Sequence, residues 1–82
     1  MSTVAPFYYS QNQTVAVTAI SLALAASPYR QLHLLRCDCD LEHDELVLRG
    51  TVHSFYLKQL AQETAFKTGC CNLRNEIEVL ES

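Results

Sequence analysis

Four cysteines fall in two pairs, Cys37-x-Cys39 and Cys70-Cys71, and a four-thiolate zinc site is the first chemistry they suggest. The spacing argues against it. Structural zinc sites favour two to four residues between paired ligands, and adjacent cysteines have difficulty aiming both sulfurs at one ion. Cys37 and Cys39 also share a strand face with Leu35 and Leu41, where a thiol behaves as a small apolar side chain. Core packing is therefore the preferred reading, with a disulfide or a metal as the alternatives. No metal or other cofactor is expected. Four thiols without an evident bridge favour a reducing compartment.

His33, His43 and His53 are the candidate acid–base or metal-binding imidazoles, but no two stand four apart on one helix. His43 falls in a polar turn and His53 just before a helix cap. The carboxylates Asp38, Asp40, Glu76 and Glu78 share a strand face on which Arg36, Arg49 and Arg74 are interleaved. They read as a solvated, internally compensated surface rather than a divalent-cation patch. The chain has no Gly-rich phosphate loop and no local nucleophile–base grouping, so no catalytic residues are assigned and an enzyme is not expected.

The elements that carry these residues are set by their periodicity. Met1 to Gln11 reads as an irregular arm bearing Phe7, Tyr8 and Tyr9, and residues 12–80 read as a single domain. Asn12 or Thr14 opens a first helix to about Ala26, closed by Ser27-Pro28. Leu34–Leu41 alternates with period two, with Leu35, Cys37, Cys39 and Leu41 inside. Leu46–Val52 alternates again, with Leu46, Leu48, Gly50 and Val52 inside and Val47, Arg49 and Thr51 outside. The polar link between them makes a hairpin. Ser54 caps a second helix through Thr68, with Gly69 as its left-handed terminator and Leu57, Leu60, Ala61, Thr64, Ala65 and Thr68 as its core stripe. A last strand runs from Asn72 to Leu80, with Leu73, Asn75, Ile77 and Val79 facing one way.

The order α-β-β-α-β, with one apolar and one charged face on every strand, specifies a two-layer α+β sandwich. Both helices cover one face of a mixed three-stranded sheet, because a right-handed crossover makes the second and third strands parallel. Gly50, Gly69 and Asn75 are its structural positions. Gly50 is expected to admit a helix close to the sheet, so that Gly50→Val overpacks it.

The stretch Leu46-Val-Leu-Arg-Gly-Thr-Val-His-Ser54 resembles the strand-to-helix segment of the BON domain of bacterial osmotic-shock and nodulation proteins. Ala61 and Ala65 match the small residues of that family's second helix. Gly69-Cys70 with Leu73, Asn75, Ile77 and Val79 resembles its closing "G-V-x-x-V-x-N-x-I-x-V" pattern, with Cys70 in place of Val. The likeness covers residues 34–79. It implies a non-catalytic binding module that contacts phospholipid membranes or other envelope components. A stand-alone domain with four cysteines and no charged segment ahead of its apolar run departs from the family. Those features favour the cytoplasm, whereas the resemblance favours the periplasm or envelope, and the compartment stays open.

Composition narrows the partners. An 82-residue chain with net charge −3 holds only six basic residues, scattered singly at Arg30, Arg36, Arg49, Lys58, Lys67 and Arg74. Nucleic-acid binding, which needs a basic stripe, is not expected. The apolar run Val15–Ala26 is too short to span a bilayer, which takes about 20 residues. At 100° per residue Val17, Ile20, Ser21 and Leu24 form one face of the first helix, and Val15, Ala19 and Leu22 form the opposite one. Phe55 and Phe66 likewise project away from the core stripe of the second helix. Val15, Ala19, Leu22, Phe55 and Phe66 are therefore the candidate contact residues. A homo-oligomeric or other protein interface is preferred, with packing of the aromatic arm and contact with a phospholipid surface as alternatives. A self-associating scaffold module and a thiol-dependent metal or redox protein are the competing functions.

Overall fold

The computed structural model describes residues 4–70 and 72–80, with side chains from Thr14 onward. In chain order the elements are α1 (Val4–Ala25), α2 (Arg30–His33), β1 (Arg36–Asp40), β2 (Glu45–Arg49), β3 (Thr51–Val52), α3 (Phe55–Phe66), β4 (Leu73–Asn75) and β5 (Glu78–Val79). Helix α1 begins at Val4, so the backbone expected to be an irregular arm to Gln11 is helical for most of its length. Pro6 stands in the first turn, where no backbone N–H is required, and no glycine interrupts the rest of the helix. The side chains of Phe7, Tyr8 and Tyr9 lie outside the described residues. Pro28 closes the helix as expected, and the single turn of α2, with too few residues to show a period, was not legible in the sequence.

The domain is a small α+β fold in which helices pack against a mixed three-stranded sheet of order β1-β2-β4. Strands β1 and β2 are antiparallel, pairing Arg36 with Arg49 through Asp40 with Glu45. Asp44, at the tight link, has φ 55°, a left-handed conformation that Asp tolerates. Strands β2 and β4 are parallel, with Leu46 opposite Leu73 and Leu48 opposite Asn75. Beyond them β3 and β5 are also parallel, with Val52 opposite Val79. The ladder continues across both breaks, since Glu76 N–H donates to Leu48 O at 2.9 Å and Glu78 N–H to Gly50 O at 2.9 Å. The last strand is therefore one bent ribbon that keeps its register.

Ile20 and Leu24 of α1, Leu32 of α2 and Leu57, Ala61 and Ala65 of α3 bury themselves against Leu35, Cys37, Leu46, Leu48, Val52 and Ile77. Two fully buried alanines let α3 lie close to the sheet. Ser54 caps that helix as expected, its Oγ accepting the Leu57 N–H at 3.2 Å. Asn75 ties α3 to the sheet, its Nδ2 donating to Lys58 O and Gln62 Oε1, both at 3.2 Å. Its Oδ1 accepts the Ile77 N–H at 3.1 Å, holding the bend between β4 and β5. Gly69 has φ +98° with open space around it, as a left-handed terminator requires.

Three positions correct the alternation. Leu41 leaves the sheet with the turn and is 69% exposed. Val47 lies on the outer face yet is fully buried, between its register partners Asp38 and Arg74. At Gly50 the close approach comes from Leu35, just before β1, and not from a helix. A Cβ there would lie 2.7 Å from Leu35 Cδ2, and φ is +133°.

Both the steric contact and the backbone angle disfavour any side chain at position 50. Gly50→Ala should destabilise the domain by about 1–3 kcal/mol. Urea midpoints measure this, and an unchanged midpoint would show that Leu35 moves aside freely.

Candidate functional site

Among the described side chains the fully buried ones are all apolar, and apart from the buried Cys37 the chemistry-bearing groups lie at or near the surface. They fall into three sets. The first is the thiols. Cys37 is buried in the core, while Cys39 and Cys70 pack against it. Burial pushes the Cys37 thiol up to about 11, and the neighbouring Cys70, Asp38 and Cys39 add to the shift. Burial raises Cys39 too, with Asp44 and Asp40 acting in the same direction. Thiols held in the protonated form are poor nucleophiles and poor metal ligands. Cys71 lies outside the described residues.

The second set is the outer face of the sheet, where β2 separates the carboxylates of β1 from Arg74 of β4. Arg49 Nε lies 3.2 Å from Asp38 Oδ2, and its Nη1 donates to Glu76 Oε1 at 2.8 Å. Arg74 Nη1 reaches Glu45 Oε1 at 2.7 Å and its Nη2 reaches Asp40 Oδ2 at 3.2 Å. Arg74 Nε stands 2.8 Å from Glu76 Oε2 but is not aligned for a hydrogen bond, so that contact is purely ionic. Two arginines thus stitch three strands together, and Val47 sits beneath them with Asp38 and Arg74 as its register partners. Glu78 contributes no ion pair among the described residues. Each of Asp38, Asp40, Glu45 and Glu76 thus faces an arginine nitrogen.

The third set is the hairpin turn. Asp40 Oδ1 accepts the N–H groups of Glu42 at 3.1 Å and His43 at 3.2 Å, and its Oδ2 lies 2.9 Å from His43 Nδ1. Asp40, Glu42 and His43 are close enough together to offer three ligands to one ion. Asp40 is nevertheless fully engaged in closing the turn. The hydrogen bond from His43, helped by Arg74, holds its carboxyl at about 2, below its ordinary 3.8. The other imidazoles also meet backbone carbonyls. His33 Nε2 lies 2.6 Å from Ser27 O, and His53 Nδ1 lies 3.2 Å from Leu80 O.

The candidate contact residues remain. Val15 and Leu22 are each 67% exposed. They are seven residues apart, so they share one face of α1 at a separation of about 10 Å. Ala19, between them, is half-buried. Phe55 is 66% exposed and Phe66 42%. They stand on one line of α3, roughly 16 Å apart, and so mark its two ends. Sequence reasoning missed Tyr29 and Tyr56, whose rings meet edge to face with centroids 6.0 Å apart. Their pairing depends on α2 turning back towards α3, which no local period signals.

The uncharged length of α1 is the most specific feature of this surface. From Met1 to Tyr29 the chain carries no Asp, Glu, Lys, Arg or His, so all fifteen charged side chains lie beyond that point. Among the described residues no helix is long and apolar enough to cross a membrane. Comparison with protein-family models, with curated proteins and with solved structures finds no match.

The buried thiol and the turn carboxylate can each be tested. At pH 8 Cys37 should resist alkylation by iodoacetamide in the folded protein and react readily in urea, as read by peptide mass spectrometry; equal rates would place it at the surface. For Asp40, a depressed folded pKa means that its contribution is complete above about 4 and is lost as pH falls towards about 2. Asp40→Asn should therefore be less stable than the parent at pH 6, and the gap should close between pH 4 and pH 2. Because the group is exposed, added salt should narrow the gap. A pH-independent gap in urea midpoints would exclude the ionised carboxylate as its source.

Proposed function

We propose that this chain is a non-catalytic protein-binding module of BON type that works through the outer face of α1. The observation that carries the reading is the exposure of Val15 and Leu22 on a helix without a charged residue. A monomeric domain has every reason to place polar side chains there, and an apolar strip facing water marks a contact surface. Thr18 is also exposed on this side. A mixed strip of small polar and aliphatic groups suits a protein partner better than the interior of a lipid layer.

Electrostatics supports the same choice. An anionic bilayer attracts clustered cations. Helix α1 has none, and Arg49 and Arg74 are committed to carboxylates on the far side of the sheet. The BON resemblance supports a binding role without chemistry, and the raised Cys37 thiol weighs against the thiol-dependent alternative.

Flotation with phosphatidylcholine vesicles, and with vesicles containing phosphatidylserine, tests the choice of partner. The protein should stay at the bottom of the gradient in both. Flotation that is abolished by Leu22→Glu would assign the α1 face to phospholipid and overturn the proposal.

A further inference from the structure

We propose that the occupant of this face is α1 of a second copy, packed antiparallel to the first; this rests on the reading that the outer face of α1 is a protein-binding surface. Three features of the molecule point to a copy of itself. The first is charge. Fifteen charged side chains with a net charge of −3 are confined to the chain beyond Tyr29, so most other surfaces would bring like charges together in a symmetric contact. A twofold interface is made of one patch facing itself. An uncharged helix meets that condition without repulsion.

The second feature is spacing. Val15, Thr18, Leu22 and Ala25 are all exposed and succeed one another at intervals of three, four and three residues. That is the seam of two helices packed side by side. Read from the sequence, the same interval continues back through Gln11, Tyr8 and Val4. Among the described side chains the seam runs from Val15 to Ala25, within a helix whose backbone spans Val4–Ala25.

The third feature sets direction. Among the described side chains, Ala16, Val17, Ile20 and Leu24 anchor the C-terminal half of α1 to the core. Parallel helices would place both acidic domains at the same end and align the helix dipoles unfavourably. Antiparallel helices place the domains at opposite ends and oppose the dipoles. For a helix spanning Val4–Ala25, the twofold axis then passes beside Val15. Leu22 would face the region of Tyr8, about 20 Å from the Leu22 of the other copy.

The size of the contact predicts its strength. Half the surface of a helix about 33 Å long and 10–12 Å wide is roughly 600 Å², at the lower limit for one side of a specific interface. That is about a tenth of the protomer surface of 5660 Å². A reversible dimer with micromolar affinity is expected.

Charge exchange across the axis tests occupant and direction together. The full chain should have a dimer mass by light scattering at 100 μM, whereas Val15→Glu and Val15→Lys should each weaken dimerisation at least tenfold with unchanged circular dichroism. Mixing those two variants should restore the dimer, because position 15 meets position 15. Leu22→Glu and Leu22→Lys should also weaken it, but their mixture should not recover. Recovery of the Leu22 mixture would mean parallel pairing and overturn the direction. Failure of both mixtures would place the axis elsewhere and overturn the seam. A parent protein that is monomeric at 100 μM would remove the second copy as occupant, and the protein-binding reading would then stand or fall on flotation alone.

Discussion

The parallel pairing of the ribbon Glu45–Val52 with the ribbon Leu73–Val79 is the contact on which the rest of the fold depends. Parallel strands cannot be joined by a tight turn, so α3 must cross over between them, and a right-handed crossover puts it on one particular face. That face becomes the interior, and α1 and α2 have to cover what α3 leaves. Among the described residues the opposite face has no second layer. Its arginines and carboxylates are then obliged to compensate one another across three strands.

Much of this was legible in the chain. Two-residue alternation identified Leu46, Leu48 and Val52 as core, and the Ser54 hydroxyl sits where a helix cap was expected. Asn75, read as a structural residue, proved to be the tie between α3 and the bend of the last strand. What escaped was whatever depends on distance across the fold. Alternation places Val47 outside, which is correct for its direction, but its full burial depends on neighbours across three strands that the sequence cannot position. Gly50 was recognised as a close approach, yet the neighbour is Leu35 and the backbone angle adds a second reason for glycine. The helical start at Val4 was hidden by aromatic residues and Pro6, which read locally as irregular.

The candidate surface was read in outline and refined in geometry. The all-round apolar character of the first helix predicted an unpartnered face, and Val15 and Leu22 do project into solvent. Ala19, placed with them by the helical wheel, is half-buried, on a helix that leans on both α3 and β1. Phe55 and Phe66 share a line on α3 but lie at its opposite ends. The thiols, which drew attention first, are largely absorbed into packing at the junction of helix and sheet.

Val47 beneath its arginines sets how freely the two sides of the molecule can drift in sequence. Replacing Arg49 or Arg74 would strand several carboxylates and uncover an apolar floor at the same time, so changes on that side would have to arrive in concert. Among the described residues, Val15 and Leu22 are in no ion pair and lie outside the buried core cluster. New specificity can therefore accumulate on α1 one residue at a time, while the sheet beneath keeps the fold constant.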